Sequence, residues 1–272
     1  MTLKGIGPVV LIGAGKMGLA LARGWLAAGL TPADLVLVDP NPLEPTAAFA
    51  REFGIRLLPS PIGVLTQVLV LAVKPQIMDR VLDEVRPVVG RQTLVLSIAA
   101  GISLRSLSQG LGTERIVRSM PNTPAQIGKG ITGAVAGFKV APGDREVVEA
   151  LLSAAGQLIW FEHEANLDAV TAVSGSGPAY VFHMVEALAE AALRQGLDAE
   201  QSMLLARQTV IGAAALLEAD PASAATLREN VTSPNGTTAA ALAVLMGEEG
   251  LIKLMDKAVD AARRRSEELG RR

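Results

Sequence analysis

The sequence predicts an α/β fold in two parts: a doubly wound parallel sheet over residues 1–164 and an all-helical part over residues 165–272. Three observations support this. Before Glu164, short and nearly continuous apolar runs alternate with helical patterns, as in strands covered by helices on both faces. After Glu164 the strand-like runs vanish and long Ala/Leu-rich helical patterns replace them. Half of the 272 residues are apolar and 19% are charged, ample for a large core and too apolar for disorder.

The elements follow in order. Pro8–Ile12, Leu35–Val38, Val68–Val73 and Thr93–Ile98 read as buried strands. Helical patterns at Lys16–Ala28, Leu43–Phe53, Gln76–Val85 and Leu104–Gln109 alternate with them. Further strands fit Arg115–Ser119, Ile131–Phe138 and Gln157–Phe161, with a helix at Gly143–Ala155. In the second part, helices fit Pro178–Gln195, Ala199–Glu218, Ala222–Asn230, Thr237–Met246 and Leu251–Leu269. Gly196 and Pro221 punctuate them, and Gly236 stands just before one start. Arg263-Arg264-Arg265 and Arg271-Arg272 form a basic end, read as a solvated helix terminus.

Composition excludes several classes of function. The formal net charge is −2, without the basic excess of a nucleic-acid or anionic-membrane binder. There is no cysteine, which removes disulfides, thiolate nucleophiles and Cys-ligated metal sites. The two histidines, His163 and His183, are far apart and read as structural or solvated, so no metal site is expected. The N-terminal segment Met1–Gly5 lacks the order of a signal peptide, and no long apolar stretch suits a membrane span. A cytoplasmic chain is the expectation.

Gly13-Ala14-Gly15-Lys16-Met17-Gly18 carries the first chemistry. The string G-x-G-x-x-G alone is weak, but here it follows a strand and opens a helix. Gly13 permits the tight turn, Gly15 lets backbone approach a pyrophosphate, and Gly18 lets helix pack on strand. The N–H groups at the helix start, including those of Lys16 and Met17, face the anion. Asp39 ends the second strand roughly 20 positions after Gly18, where a carboxylate binds the adenosine ribose and repels a 2′-phosphate. These residues read as a Rossmann dinucleotide site, with Asp39 leaning to NADH and NADPH left open; Asp39 alone also fits a polar residue starting the Asp39-Pro40-Asn41-Pro42 turn. Two further strand ends, Leu71-Ala72-Val73-Lys74-Pro75-Gln76 and Ser97-Ile98-Ala99-Ala100-Gly101-Ile102, offer small residues beside a flat cofactor. Lys74 offers a cation there, or simply a solvated lysine.

Two segments of the second part precede helices. Val173-Ser174-Gly175-Ser176-Gly177-Pro178-Ala179-Tyr180 suits a close crossing, a ligand-facing turn or a helix cap. Thr232-Ser233-Pro234-Asn235-Gly236-Thr237-Thr238 joins hydroxyls to free N–H groups, which suits a carboxylate ligand and equally suits ordinary N-capping.

Six strings, in order from end to end, resemble the Δ1-pyrroline-5-carboxylate reductases of proline synthesis. They are Gly13–Gly18, Leu71–Gln76, Ser97–Ile102, Met120-Pro121-Asn122-Thr123-Pro124-Ala125, Asp168–Tyr180 and Asn230–Thr238. The resemblance implies a Rossmann domain followed by a helical dimerisation domain, with homodimers as the minimum unit and decamers in many members. It implies NADPH or NADH as cofactor, 1-pyrroline-5-carboxylate as substrate and L-proline as product. Cofactor contacts are thus expected at Gly13, Ala14, Gly15, Lys16, Met17, Asp39, Ala72, Val73, Lys74, Pro75, Ala99 and Gly101, and the resemblance adds Asn230. The substrate carboxylate falls to the loop with Ser233, Gly236, Thr237 and Thr238, with Thr238 reaching the ring nitrogen as the catalytic group. Glu164 is a further substrate-binding candidate.

The chain departs from the family pattern twice. Asp39-Pro40-Asn41-Pro42 stands where Ser, Thr, Asn or Arg is usual, and Leu58-Pro59-Ser60-Pro61 offers no Asn before the helix that precedes Leu71. Two other readings compete. A β-hydroxyacid dehydrogenase shares the two-part plan but needs a lysine early in the helical part, and none stands between Lys139 and Lys253. A non-catalytic NAD(P)-binding protein would need no Asn230–Thr238 loop.

Overall fold

The computed structural model describes residues 2–270; Met1, Arg271 and Arg272 of the terminal segments above lie outside them. It contains two compact units, one of residues up to Ser176 with those from Ala262 on, the other Gly177–Ala261.

The first unit is built on eight strands: β1 Val9–Ile12, β2 Leu35–Val38, β3 Arg56–Leu58, β4 Val68–Leu71, β5 Leu94–Ser97, β6 Ile116–Met120, β7 Gly130–Ala136 and β8 Gly156–Trp160. Their order across the sheet is β3-β2-β1-β4-β5-β6-β7-β8. β1, β2, β4 and β5 are buried along their whole length, as continuous apolar runs require. The helices are α1 Lys16–Ala27, α2 Glu44–Phe53, α3 Met78–Val85, α4 Leu104–Leu111, α5 Pro142–Ser153 and the short α6 Asn166–Val170.

Alternate residues of β1, β2, β4 and β5 face opposite cores. Val9 and Leu11 pack with Leu21, Trp25 and Leu151 on one side, and Val10 and Ile12 pack with Met78, Leu82 and Leu107 on the other. Trp25 is fully buried and its indole N–H donates to the Leu151 carbonyl at 2.8 Å, so burial leaves no unpaired donor.

The sheet is parallel from β3 to β6, but β7 runs antiparallel to β6, which corrects the expectation of a purely parallel sheet. The link from β6 to β7 holds one 3₁₀ turn, Thr123–Ile127, and no crossover helix. A parallel return needs a longer connection. β7 and β8 are again parallel, joined through α5. β3 had no signature in the sequence, because three residues beginning with Arg56 show no period.

Arg115 and Asp144 tie the start of β6 to α5. Arg115 donates from Nε to Asp144 Oδ2 at 2.8 Å and from Nη2 to Oδ1 at 2.5 Å, and the Ala141 N–H donates to Oδ2 at 2.9 Å. The Arg115 hydrogen bonds hold the Asp144 carboxyl below the usual carboxylate range. A lowered folded-state pKa gives stability that is present above the unfolded value, near pH 4, and is lost as pH falls through the folded value. Asp144→Asn should therefore cost about 2 kcal/mol at neutral pH. It should also flatten the acid limb of stability, as followed by denaturant unfolding between neutral pH and pH 3.

The second unit holds α7 Gly177–Arg194, α8 Ala199–Ala219, α9 Ala224–Asn230, α10 Thr237–Leu245 and the first part of α11 Leu251–Gly270. α7 and α8 pack as a hairpin. Among its described residues only Ala189, Ser202 and Ala206 are buried, while Phe182, Leu204, Val244 and Ile252 are each at least 65% exposed. An apolar face this open marks an interaction surface.

Between α6 and α7 the chain makes one turn of π-helix, Thr171–Gly175, where the sequence showed only small residues. Gly175 lets Met120 approach, since a Cβ there would lie 2.9 Å from the Met120 methyl. Among the described residues no helix is long and apolar enough to cross a membrane.

Candidate active site

The glycine loop sits at the carboxyl end of β1. Gly13 has φ +86°, and a Cβ on it would lie 2.7 Å from Val73 and 2.9 Å from the Ala72 carbonyl. Gly18 is fixed by contact, because its Cβ would fall 2.5 Å from the Gly13 carbonyl. Gly15 differs from both: nothing lies within 4 Å of where its Cβ would be. That opening is a cradle that a side chain would fill. Gly15 caps α1 without any side-chain cap, so the N–H groups of Lys16 and Met17 stay open to an anion. The buried Ala14 presents its carbonyl to the Thr46 hydroxyl at 2.7 Å, which ties the loop to α2.

A cavity of about 370 Å³ opens beside this loop, lined by Gly13, Gly15, Asp39, Ala72, Val73 and Lys74. The structure thus gathers six of the expected cofactor residues around one space. Pro40, Pro59 and Pro61 supply its apolar wall. Asp39 is held at two points: its N–H donates to the Leu58 carbonyl at 3.0 Å, and its Oδ1 accepts the Asn41 N–H at 3.0 Å. The first bond comes from the end of β3, so the strand that the sequence did not show holds Asp39 in place. Pro75 opens a 3₁₀ turn, Pro75–Ile77, capped by Lys74.

Ala99 and Gly101 stand on the loop after β5, the neighbour of β4 in the sheet. The Ile98 N–H donates to the Leu71 carbonyl at 3.0 Å, joining that loop to the end of β4. Ala99 is buried, and Gly101 has φ +72°. Gly101 lines a separate cavity of about 320 Å³, together with Arg118, Glu164, Asp168 and Glu267. There Glu164 Oε1 accepts from Arg118 Nη1 at 2.6 Å and from the Leu104 N–H at 2.8 Å. Sequence reasoning missed Arg118. Its signal was a lone cation inside the apolar run Ile116–Met120, which is buried in the structure.

In the second unit, Asn230 ends α9 and the loop to α10 turns through Asn235, a non-glycine at φ 59°. The Gly236 N–H donates to the Ser233 carbonyl at 3.0 Å, and Gly236 then caps α10 with no side-chain cap. The first N–H groups of α10, on Thr237, Thr238 and Ala239, therefore point beyond the helix end. Ser233 and Thr237 are exposed and Thr238 is half-buried. His163 is exposed, and His183 is an exposed partner of Glu186.

Residues 164–269 match the family model described as pyrroline-5-carboxylate reductase dimerisation, and residues 8–101 match that of coenzyme F420-dependent NADP oxidoreductases. A pyrroline-5-carboxylate reductase of Pseudomonas aeruginosa is 41% identical over 96% of this chain and 96% of its own. The structure of a pyrroline-5-carboxylate reductase from Coxiella burnetii superposes with a TM-score of 0.90 at 36% identity, covering 97% of this chain and 98% of that one. The Plasmodium falciparum pyrroline carboxylate reductase, solved with NADP bound, gives 0.83 at 30% identity, covering 98% of this chain and 99% of that one. With its Rossmann unit, its helical dimerisation domain and relatives matched over almost their full length, this chain belongs to the pyrroline-5-carboxylate reductase family.

Proposed function

We propose that the chain reduces the cyclic imine of 1-pyrroline-5-carboxylate to L-proline with NADH or NADPH, the last step of proline synthesis. The observation that carries this reading is the 41% identity to a pyrroline-5-carboxylate reductase over 96% of both chains. The uncapped starts of α1 and α10 supply the two anion-holding sites that the reaction needs.

The residues fit a dinucleotide. The open space at Gly15 and the N–H groups of Lys16 and Met17 would hold its pyrophosphate, and Asp39 its adenosine ribose. Ala72, Val73, Lys74, Pro75, Ala99 and Gly101 border it along the strand ends, with Asn230 a further contact. When bound, the reduced nicotinamide supplies a hydride. The remaining work is positioning. N–H groups at Gly236–Thr238 hold the substrate carboxylate, with Ser233 and Thr237 hydroxyls beside it. The ring nitrogen gains a lone pair when the imine carbon, C2 of the pyrroline and C5 of proline, is reduced, and the Thr238 hydroxyl donates to it. Glu164, whose Oε1 accepts from Arg118 Nη1 and the Leu104 N–H, is the further substrate contact in this reading.

Residues 1–164 form the dinucleotide-binding domain and residues 165–272 the substrate and dimerisation domain of this cytoplasmic enzyme. The apolar face of the helical unit is covered by a second copy, giving a homodimer as the minimum unit, from which decamers can be built.

The purified chain, given pyrroline-5-carboxylate and each dinucleotide in turn, oxidises NADH with a kcat/KM at least tenfold above that for NADPH, as a carboxylate facing a 2′-phosphate requires. Asp39→Ser narrows or reverses the ratio. Oxidation of neither dinucleotide defeats the function, and a strong preference for NADPH defeats the role of Asp39.

A further inference from the structure

Residues 262–270, the last turns of α11, belong to the first unit although more than a hundred positions separate them from its sheet. Their seat there is specific. Ser266 is the buried residue of α11, 5% exposed, and its hydroxyl donates to Asp168 Oδ1 at 2.6 Å. One turn on, Leu269 and Gly270 lie over the loop after β5. A Cβ at Gly101 would be 3.4 Å from Leu269 Cβ and 3.6 Å from the Gly270 nitrogen. Gly101 carries a positive φ, so the loop beneath has a conformation that the helix end packs against directly.

That loop is the third of three neighbouring strand ends. β1 ends in the glycine loop, β4 in Ala72–Lys74 and β5 in Ala99–Gly101, and the strands are parallel, so all three open on one edge of the sheet. A dinucleotide whose pyrophosphate rests at β1 with its adenosine toward β2 extends its other end toward β4 and β5. The end of α11 therefore braces the part of the rim nearest the reacting ring. Glu164 and Arg118, which line one cavity with Gly101 and the α11 end, hold the start of α4 through the Leu104 N–H.

We infer that the C-terminal end of α11 is a latch on the cofactor site: Ser266, bonded to Asp168, and Leu269, packed over Gly101, hold the Ala99–Gly101 loop in its dinucleotide-binding form. Ser266 is a positioning residue that touches neither substrate nor cofactor. The inference rests on the proposed reductase reading only in naming the ligand.

The test measures NADH binding to the full-length chain by its fluorescence, without any imine. Ser266→Ala removes one partly buried hydrogen bond and raises the Kd for NADH about three- to tenfold. In steady state the KM for the dinucleotide rises by the same factor, while the KM for the imine is unchanged. Leu269→Ala, at a site 39% exposed, raises the Kd in the same direction and decides the matter should Ser266→Ala not fold. Glu268→Ala, which alters the exposed partner of Arg265 on the same turn, leaves the Kd as it was. Unchanged NADH binding in both Ser266→Ala and Leu269→Ala overturns the latch, and so does an equal rise in both KM values, which would mark general loosening. A chain that binds NADH but does not oxidise it with the imine defeats the reductase reading, and the binding comparison then decides the latch alone.

Discussion

Thr238→Ala lowers kcat for imine reduction about a hundredfold, within the range lost when one donor to developing charge is removed. Thr238 lies in the first turn of α10, half-buried beside the capping Gly236. Its hydroxyl is the group proposed to donate to the ring nitrogen as hydride reaches the imine carbon. The backbone N–H groups that hold the carboxylate survive the substitution, so the KM for the imine rises less than kcat falls. The KM for the dinucleotide does not change. Alanine forms helix better than threonine, so loss of α10 cannot account for the defect. Thr238→Ser keeps the hydroxyl and retains most of the activity. Steady-state kinetics with the imine varied at saturating dinucleotide separates these terms, and unchanged kcat and KM in Thr238→Ala removes the residue from the chemistry.

Gly15→Val abolishes dinucleotide binding while leaving the fold intact. The open space at Gly15 admits a side chain without meeting protein atoms, and its φ of −73° is one that any L-residue adopts. The isopropyl group then stands where the pyrophosphate must approach the N–H groups of α1. Losing two charge-assisted hydrogen bonds of about 1.5–3 kcal/mol each weakens binding a hundredfold or more. The cost to stability is a poorer N-cap, about 1 kcal/mol, or a fall in Tm of about 4 °C or less. Calorimetric titration with NADH beside a thermal melt reads both. Gly18→Val is the contrasting case, since it collides with the Gly13 carbonyl and disturbs the turn itself. Tight NADH binding by Gly15→Val would show that the cradle is not where the pyrophosphate sits.

Much of the site could be read from the sequence because it is local. The glycine loop, its strand and its helix lie within about 20 residues, and Asp39 ends the next apolar run. The buried strands β1, β2, β4 and β5 were visible as continuous apolar runs, and the Ala/Leu helices as long patterns between Gly and Pro. What escaped was short or distant. β3 has three residues and no period, yet it holds Asp39 in place. The reversal at β7 was written only in the short connection through Thr123–Ile127. The π turn at Thr171–Gly175 has no sequence period of its own. Arg118 and Glu164 meet across 46 positions, and Ser266 and Asp168 across 98. Only the folded chain brings such pairs together.

The proposed reduction stands on hydride transfer from the dinucleotide to the imine carbon. The most direct measurement incubates the purified chain with pyrroline-5-carboxylate and NADH doubly deuterated at nicotinamide C4, then analyses the proline by mass spectrometry. The predicted result is L-proline carrying one deuterium at C5, formed one for one with oxidised dinucleotide. Proline without deuterium at C5, or oxidation with no proline formed, contradicts it.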